Sequence, residues 1–412
     1  MKYVEQPAFG QLVGQLRRDR GLSQAQLSGQ GVSSSYVSRL ESGLRAPTPQ
    51  AVKYFAERFG VPEDTFRARS PQLAAERIAE GLTALEDGRP DAAVAALTEA
   101  RDEAQDQLAP ETRWLMLWNL ARAYELQGLH PERRQAAGQL LAVGDELGSP
   151  TLRMKALTEL AVCARLVGEV DQSVAVAGQA LALGEEHMEV PRADIARALL
   201  ALVAAEAEAG RLLDAAQHAE LAQQIPPQEL GTLRVQVLWS AATVAVRQGA
   251  VDQGLALLHQ ALAVADHRDI LTWGRLRTAA VSLHLRSGQE VTGQVLTWFH
   301  EAEGVVGRYG TAGHQAELKA LAARIAFHQG DRDRAALLAG QVLDDPTGLS
   351  LQDRMSVEIL FQQVALSLGQ GDTAVAALRA IAERLQASGN LDLAAEAWKA
   401  LAEAALVRIR EE

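Results

Sequence analysis

The residue types that usually carry catalysis are sparse in this chain, and their spacing fits no known reaction. The nine histidines are dispersed along 412 residues without the paired spacing of a zinc site, and no HExxH motif occurs. A glycine-rich phosphate loop and a GxSxG nucleophile elbow are also absent. The single cysteine, Cys163, lies in an apolar helical stretch, which favours a small core residue. We therefore expect no enzymatic activity, no cofactor and no metal, and the chemistry that is left is binding.

Charge is unevenly distributed along the chain. Residues 1 to 70 carry ten basic and six acidic side chains, a net charge of +4. The remaining 342 residues carry 30 basic and 46 acidic side chains, a net charge of −16. Because phosphate neutralisation is local, a basic head on an acidic body is typical of a protein that binds nucleic acid through its head alone.

Length and composition indicate at least two helical units. A chain of 412 residues exceeds a single compact core, and 48% hydrophobic with only 4% aromatic residues predicts an all-α protein packed through small side chains. One cysteine excludes an intramolecular disulfide and favours a reducing compartment. The N-terminus lacks a signal-type apolar region, and the longest apolar run, Ala198 to Ala205, is far shorter than the ~20 residues of a membrane span. We expect a soluble, cytoplasmic protein with no membrane partner.

Five short helices are predicted in the head, residues 1–70. The first carries an apolar stripe that ends at Gly21, and the second is capped by Ser23, with Gln26 completing a capping box. Gly29 and Gly31 separate it from a third helix, which Ser33 caps and Gly43 ends. A fourth helix begins at Thr48-Pro49, and the fifth opens at residues 61–64 and ends before Pro71.

Two segments of this head resemble the lambda-repressor-like (XRE) helix-turn-helix family. They are LSQAQL over residues 22–27 and GVSSSYVSRLESG over residues 31–43, and the resemblance covers residues 9 to 67. In that family the third helix enters the major groove of double-stranded DNA and the second crosses the backbone. The resemblance therefore implies sequence-specific DNA binding by residues 1–70.

The family's DNA-contacting positions carry over residue by residue. Gln24 matches the phosphate-contacting glutamine, and Arg39 is the strongest base reader because a guanidinium can span guanine O6 and N7. Tyr36 either stacks on a sugar or packs on the second helix, and Arg45 is either a phosphate contact or a solvated loop residue. Arg17 and Glu41 match a family ion pair with a structural role. The exposed face of the recognition helix is predicted to consist of Ser34, Ser35, Ser38 and Arg39.

One departure from the family lies in the turn before the recognition helix. Three residues separate Leu27 from Gly31, where the family usually has four. A shortened turn rotates or tilts the helix that follows it. The assignments of Ser34 and Ser35 depend on this register more than that of Arg39 does.

Glycines recur along the rest of the chain with a period of about 40 residues. They end successive amphipathic helices at Gly88, Gly128, Gly168, Gly210, Gly249, Gly288, Gly330 and Gly371, with Gly369 as an alternative terminator for the last. Each is followed by a second helix, so residues 71–390 are predicted to form about eight units of 39 to 42 residues. Residues 391–412 then form a C-terminal capping helix. Its apolar positions Leu393, Ala397, Leu401 and Leu406 cover either the last repeat or a partner subunit.

The segment from Trp118 to Gly128 resembles the first helix of a tetratricopeptide (TPR) repeat, although the usual TPR period is ~34 residues. Such repeats stack into a right-handed α-solenoid whose concave face, lined by the first helix of each unit, is a binding surface. Arginines with two tryptophans would suit an anionic or carboxylate-bearing ligand such as a peptide, or would simply be solvated or paired. The side chains predicted to face the groove are Trp118, Arg122, Arg165, Arg197, Gln236, Trp239, Thr243, Arg275 and Arg324.

The combined architecture, an XRE head on a TPR-like body, resembles the peptide-pheromone receptors of bacteria. That resemblance implies a homodimeric transcription regulator that binds a pseudo-palindromic operator and responds to a peptide, small molecule or protein in the groove. The alternative is a TPR scaffold or adaptor whose head contacts protein. A scaffold has no need of a head of charge +4 on a body of charge −16, so the charge distribution favours the regulator.

Overall fold

The computed structural model describes residues 3–29, 31–66, 71–104, 107–369 and 371–411. The regular elements among these residues are helices, and apart from an isolated bridge between Gly29 and Val32 the described residues form no named strand, which confirms the all-α class. Contacts divide the chain into two compact units. One contains residues 1–80 and 98–108, and the other contains residues 81–97 and 109–412. The functional boundaries at residues 70 and 390 stay predictions.

Three α-helices and a 3-10 turn build the head: α1 (Ala8–Asp19), α2 (Ser34–Glu41), α3 (Pro49–Phe59) and the turn Glu63–Phe66. The predicted caps are present, since the hydroxyls of Ser33 and Thr48 accept from the backbone amides of Tyr36 and Ala51. Their apolar faces meet in one core that excludes water. Its largest side chains are Phe9, Leu27, Leu40, Phe55 and Phe66.

The predicted second helix is a turn, and this part of the prediction is wrong. Ser23 and Gln26 do exchange the two hydrogen bonds of a capping box, Ser23 N to Gln26 Oε1 at 2.8 Å and Gln26 N to Ser23 Oγ at 3.2 Å. The chain then leaves the helical path, because Gly29 and Val32 bond to each other through both backbone groups. The predicted fifth helix is the single 3-10 turn Glu63–Phe66, and residues 67–70 lie outside the described residues.

Eight consecutive helix pairs and a final helix follow. The first pair is α4 (Pro71–Glu86) with α5 (Pro90–Ala104), and the last helix is α21 (Leu391–Glu411). The helices between them are α6 (Pro110–Gln127), α7 (His130–Glu146), α8 (Pro150–Leu166), α9 (Val170–Glu186), α10 (Arg192–Glu208), α11 (Leu212–Gln224), the one-turn α12 (Pro227–Leu230), α13 (Leu233–Arg247), α14 (Val251–Val264), α15 (Ile270–Arg286), α16 (Gly293–Tyr309), α17 (Ala312–His328), α18 (Arg332–Asp344), α19 (Leu351–Ser367) and α20 (Gly371–Ala387).

The glycine period predicted this repeat correctly except at its end. Seven of the eight predicted terminators have the positive φ of a left-handed cap, from Gly88 to Gly330. In the eighth unit Gly369 takes that conformation with φ of 86°, whereas Gly371 is the first residue of α20. The alternative terminator is therefore the correct one, and the spacing from Gly330 becomes 39 residues.

Small side chains fill the body, as the composition predicted. Cys163 is fully buried in α8, and burial raises the pKa of its thiol to about 12, which keeps it protonated.

Within the described part of the chain, no helix has the length and apolarity to cross a bilayer. The same residues contain no cluster of three or more side chains suited to a metal ion.

The last repeats of the body return to contact its early ones. A Cβ added to Gly128, in the turn after α6, would lie 2.5 Å from the Cα of Gly348, so the two backbones touch at a point that only glycine permits. The side chain of Leu351 packs against Gly168, and Asn390 Nδ2 donates to the carbonyl oxygen of Gly168 at 3.4 Å. We call this line of contacts the seam.

Helix α21 caps the last repeat. Leu393 and Ala397 are buried against α19 and α20, and the half-buried Leu401 packs on the same cluster. The side chain of Leu406 lies outside the described residues. Of the two predicted roles for this helix, covering the repeat is therefore the one that its described apolar face performs.

Candidate nucleic-acid interface and effector cavity

The position of α2 in the head is fixed by close backbone contact with α1. A Cβ on Gly10 would lie 2.0 Å from the carbonyl oxygen of Leu40. Only glycine at position 10 therefore allows α1 to approach the end of α2 this closely. Gln6 Nε2 donates to the same carbonyl oxygen at 3.0 Å. Because Val37 and Leu40 are fully buried, the opposite face of α2 points away from the core.

An ion pair joins the end of α2 to α1, as predicted. Arg17 contacts Glu41 through two hydrogen bonds, Nε to Oε1 at 2.6 Å and Nη2 to Oε2 at 3.0 Å. Gln24 Nε2 also donates to Glu41, at 2.8 Å. Burial opposes ionisation of Glu41, but the hydrogen bonds from Arg17 and Gln24 outweigh it and lower the pKa of that carboxyl. The amide of Gln24 is therefore committed to the cluster that holds α2 in place.

Replacement of Glu41 by Gln should loosen the head by about 2 kcal/mol, because Arg17 keeps a largely buried charge without its partner. Amide hydrogen exchange of the full chain should accelerate roughly 30-fold for protected amides of α1 and α2. The folded pKa of Glu41 is lowered, so the stabilisation is present above its ordinary pKa and is lost as the pH falls through the folded value. Glu57→Gln, at an exposed position of α3, is the control. Equal exchange in the two variants would contradict a structural role for the pair.

The outward face of α2 presents most of the side chains predicted to read DNA. Ser34, Ser35 and Arg39 are exposed, and Ser38 is half-buried. Arg39 makes no ion pair with any of the residues that the structure describes. Its guanidinium is thus available for an external acceptor, which is the condition for bidentate contact with a guanine edge.

Tyr36 and Arg45 interact with each other. The guanidinium of Arg45 lies over the ring of Tyr36, 5.0 Å from its centroid, and Tyr36 packs on the head core while Arg45 is exposed. Tyr36 therefore supports Arg45 from beneath. This arrangement keeps the charge of Arg45 beside α2.

Two residues of α3 were missed by the sequence analysis. Gln50 and Lys53 are exposed, and the side-chain amide of Gln50 approaches Gly31, in the turn that precedes α2. Their signal in the sequence is their position on α3 away from the buried Val52 and Phe55. Both are candidates for phosphate contacts.

A cavity of about 530 Å³ lies in the body, lined by the first helices of seven repeats from α6 to α19. This confirms the prediction that first helices line the inner face. Five of the predicted groove residues meet there: Arg165, Gln236, Trp239, Thr243 and Arg275.

The cavity carries both signs of charge, where the sequence analysis expected mainly basic groups. Arg165 is paired with Glu208 at 2.6 Å, and burial raises the pKa of Glu208, whose second oxygen lacks a hydrogen-bond partner among the described residues. Burial also raises the pKa of Glu317 to about 7, Asp353 adds to the shift, and Arg275 opposes it. A ligand of this cavity therefore meets an exposed arginine beside a carboxyl that titrates near neutral pH.

The other predicted groove residues do not line this cavity. Trp118 stacks on Trp114 with 5.1 Å between ring centroids, and Arg122 is exposed outside the lining. Arg197 pairs with Asp194 at 2.8 Å. Arg324 lines two neighbouring cavities and donates to Ser356 Oγ at 2.6 Å. The structure thus brings five of the nine predicted groove residues together in this cavity and places these four elsewhere.

Comparison with known proteins finds a family match for the head and a structural likeness over most of the chain. Residues 8–68 match a family described as a helix-turn-helix domain. No curated protein matches the chain. The apo form of the quorum sensor NprR from B. thuringiensis is similar in structure, with a TM-score of 0.52 and 10% identity over 81% of this chain and 93% of that one. At this identity the likeness is one of fold.

Two further solved structures align with lower scores. A tetratricopeptide repeat protein from Parabacteroides merdae is 16% identical, with a TM-score of 0.46 over 71% of this chain and 99% of that one. PlcR of Bacillus thuringiensis, solved with a peptide and DNA bound, is 14% identical, with a TM-score of 0.36 over 72% of this chain and 98% of its own.

Proposed function

We propose that this chain is a sequence-specific DNA-binding transcription regulator whose TPR-like body binds an effector. The observation that carries the proposal is the recognition helix α2, whose exposed Arg39 and Ser35 stand on a helix-turn-helix domain of net charge +4. The net positive charge of the head supports DNA binding there, since the rest of the chain, with a net charge of −16, would be repelled by the phosphate backbone.

A two-fold dimer is part of the proposal. One head of this size reads only a few base pairs, so two heads on a pseudo-palindromic operator supply the specificity that a genome demands. Leu393 and Ala397 of α21 pack within the chain, so the dimer contact uses other surfaces of the body, among them the exposed Leu391 and Trp398 of the same helix. We also propose a cytoplasmic location, where a DNA target is accessible.

The effector site that we propose is the cavity around Trp239 and Arg275. It is lined by helices from seven repeats, so a ligand that bridges them changes the stacking of the body as a whole. The fold likeness to a quorum sensor supports sensing by this body. A peptide suits the lining, because it offers a carboxylate for Arg275 and donors for Glu208 and Glu317.

The test has two stages and uses the full chain. Selection from a pool of randomised duplexes should enrich a sequence with two related half-sites, and light scattering of the complex should give two chains per duplex. Lysate is then passed over the immobilised protein, and the retained molecule is titrated into the operator complex. We expect operator affinity to change roughly 5- to 150-fold, the range of an ordinary coupling energy.

Arg275→Glu should abolish both retention of the effector and its effect on operator affinity. Arg122 is a matched exposed arginine outside the cavity, and Arg122→Glu should leave both intact. Equal loss in the two variants would move the site elsewhere. A retained molecule with no influence on operator affinity would refute the switch, and a pool without enrichment would favour the adaptor alternative.

A further inference from the structure

A second cavity, of about 560 Å³, lies along the acidic side of α21. Its walls come from α13, α15, α17, α19 and α21. Three arginines from three successive repeats converge on it: Arg247, Arg286 and Arg324. They recur at intervals of 39 and 38 residues, so they form a row that follows the repeat.

Two carboxylates of α21 occupy this row. Asp392 accepts from Arg286 at 3.0 Å and from Arg247, and Glu396 lies 3.8 Å from Arg286 and 3.5 Å from Arg324. These partners are 72 to 145 residues apart in sequence. Neither carboxylate belongs to the apolar face by which α21 caps the last repeat, so the cap itself does not require them.

The row is not saturated by these contacts. Three guanidinium groups share two carboxylates within ion-pair distance, because the third carboxylate of the cavity, Glu403, lies 3.9 Å from Lys399. Nε of Arg247 has no hydrogen-bond partner among the described residues although its side chain is only 6% exposed. A buried donor without an acceptor is costly, and it marks a place where a further acceptor would bind favourably. Lys399 and His328 add nitrogen donors to the wall of the same cavity.

We propose that this arginine row is a binding site for an acidic peptide segment, and that Asp392 and Glu396 of α21 hold it in cis. The chemistry of the cis contact defines the ligand, because two carboxylates one helical turn apart are what the arginines already bind. An acidic segment of a partner therefore competes with α21 for Arg247, Arg286 and Arg324. The inference rests on the proposed function only in assigning ligand sensing to the body.

The experiment measures binding of an acetylated, amidated hexaglutamate peptide to the full chain by calorimetry, without DNA. The isosteric double variant Asp392→Asn with Glu396→Gln frees the row and should bind the probe about tenfold more tightly than the unmodified chain. The control Asp344→Asn with Glu383→Gln removes the same charge at exposed positions outside the row and should bind like the unmodified chain. A hexaglutamine peptide should bind to neither variant.

Adding Arg286→Gln and Arg324→Gln to the Asp392→Asn, Glu396→Gln variant should remove its gain in affinity for hexaglutamate. That result distinguishes binding at the arginine row from adventitious binding to the basic head. A folded Asp392→Asn, Glu396→Gln chain with unchanged affinity for hexaglutamate would overturn the proposal. If that variant does not fold, the proposal is tested on the unmodified chain by amide hydrogen exchange. Saturating hexaglutamate should then accelerate amide exchange in residues 391–401 and leave α8 unaffected, and unaltered exchange in α21 would overturn the proposal. Since no operator is involved, failure here leaves the DNA-binding proposal standing, and the reverse also holds.

Discussion

The affinity of the full chain for its operator should fall about a thousandfold when monovalent salt is raised from about 50 to about 200 mM. A dimer with roughly six phosphate contacts releases that many counterions, which gives a slope near −5 for the logarithm of affinity against the logarithm of salt. The contacts come from the head, because its charge is +4 and that of the remaining 342 residues is −16. Fluorescence anisotropy across a salt series measures the slope.

Charge variants locate the side chains that neutralise the phosphates. Arg45→Gln and Lys53→Gln remove exposed charges of the head, and each should make the slope shallower by about one for every phosphate that the head no longer neutralises. Arg122→Gln and Arg268→Gln remove exposed charges of the body and should leave the slope unchanged. A slope indistinguishable from zero, or binding by residues 71–412 as tight as that of the full chain, would refute DNA binding by the head.

Replacement of Arg39 by Ala should cost about 1 to 3 kcal/mol per half-site and relax the preference at one base position. In a dimer this cost arises twice, so the loss of operator affinity should exceed that of any other single substitution at an exposed position of α2. Selection from randomised duplexes with the variant, followed by affinity measurement on the original operator, gives both results.

Two matched substitutions distinguish base reading from general weakening. Gln24→Ala should weaken all sequences alike, because its amide supports Glu41 and reaches no base. Arg58→Ala removes an exposed arginine that donates to the carbonyl oxygen of Gln26, and it should leave the selected motif unaltered. An unchanged motif with Arg39→Ala would mean that the short turn before α2 has moved Arg39 away from the groove.

Local signals in the sequence predicted the repeat and most of the head. Caps at Ser33 and Thr48, the glycine period and the apolar stripes each depend on residues a few positions apart, and each is reproduced in the structure. The prediction of a second helix in the head was wrong because the capping box of Ser23 and Gln26 is satisfied within one turn. A pattern of four residues cannot show whether the helix continues beyond it.

Contacts between distant residues were beyond sequence reasoning. Arg247 and Asp392 are 145 residues apart, and nothing in either neighbourhood indicates the pair. Of the residues predicted to face the groove, Arg165, Trp239 and Arg275 line the cavity and Trp118 does not. Repeat register gives the helix that lines a cavity, whereas the accumulated rotation between repeats decides which side of that helix faces inward.

The close approach of Gly128 to Gly348 fixes how many repeats this body can have. In an open array each repeat meets only its two neighbours, so copies can be added or removed, and unfolding can spread from either end. Here the turn after α6 abuts the segment entering α19, and deletion or duplication of one unit of about 40 residues would carry Gly348 and Asn390 away from their partners. The contact therefore fixes the number of repeats, and we expect the body to unfold in one cooperative transition.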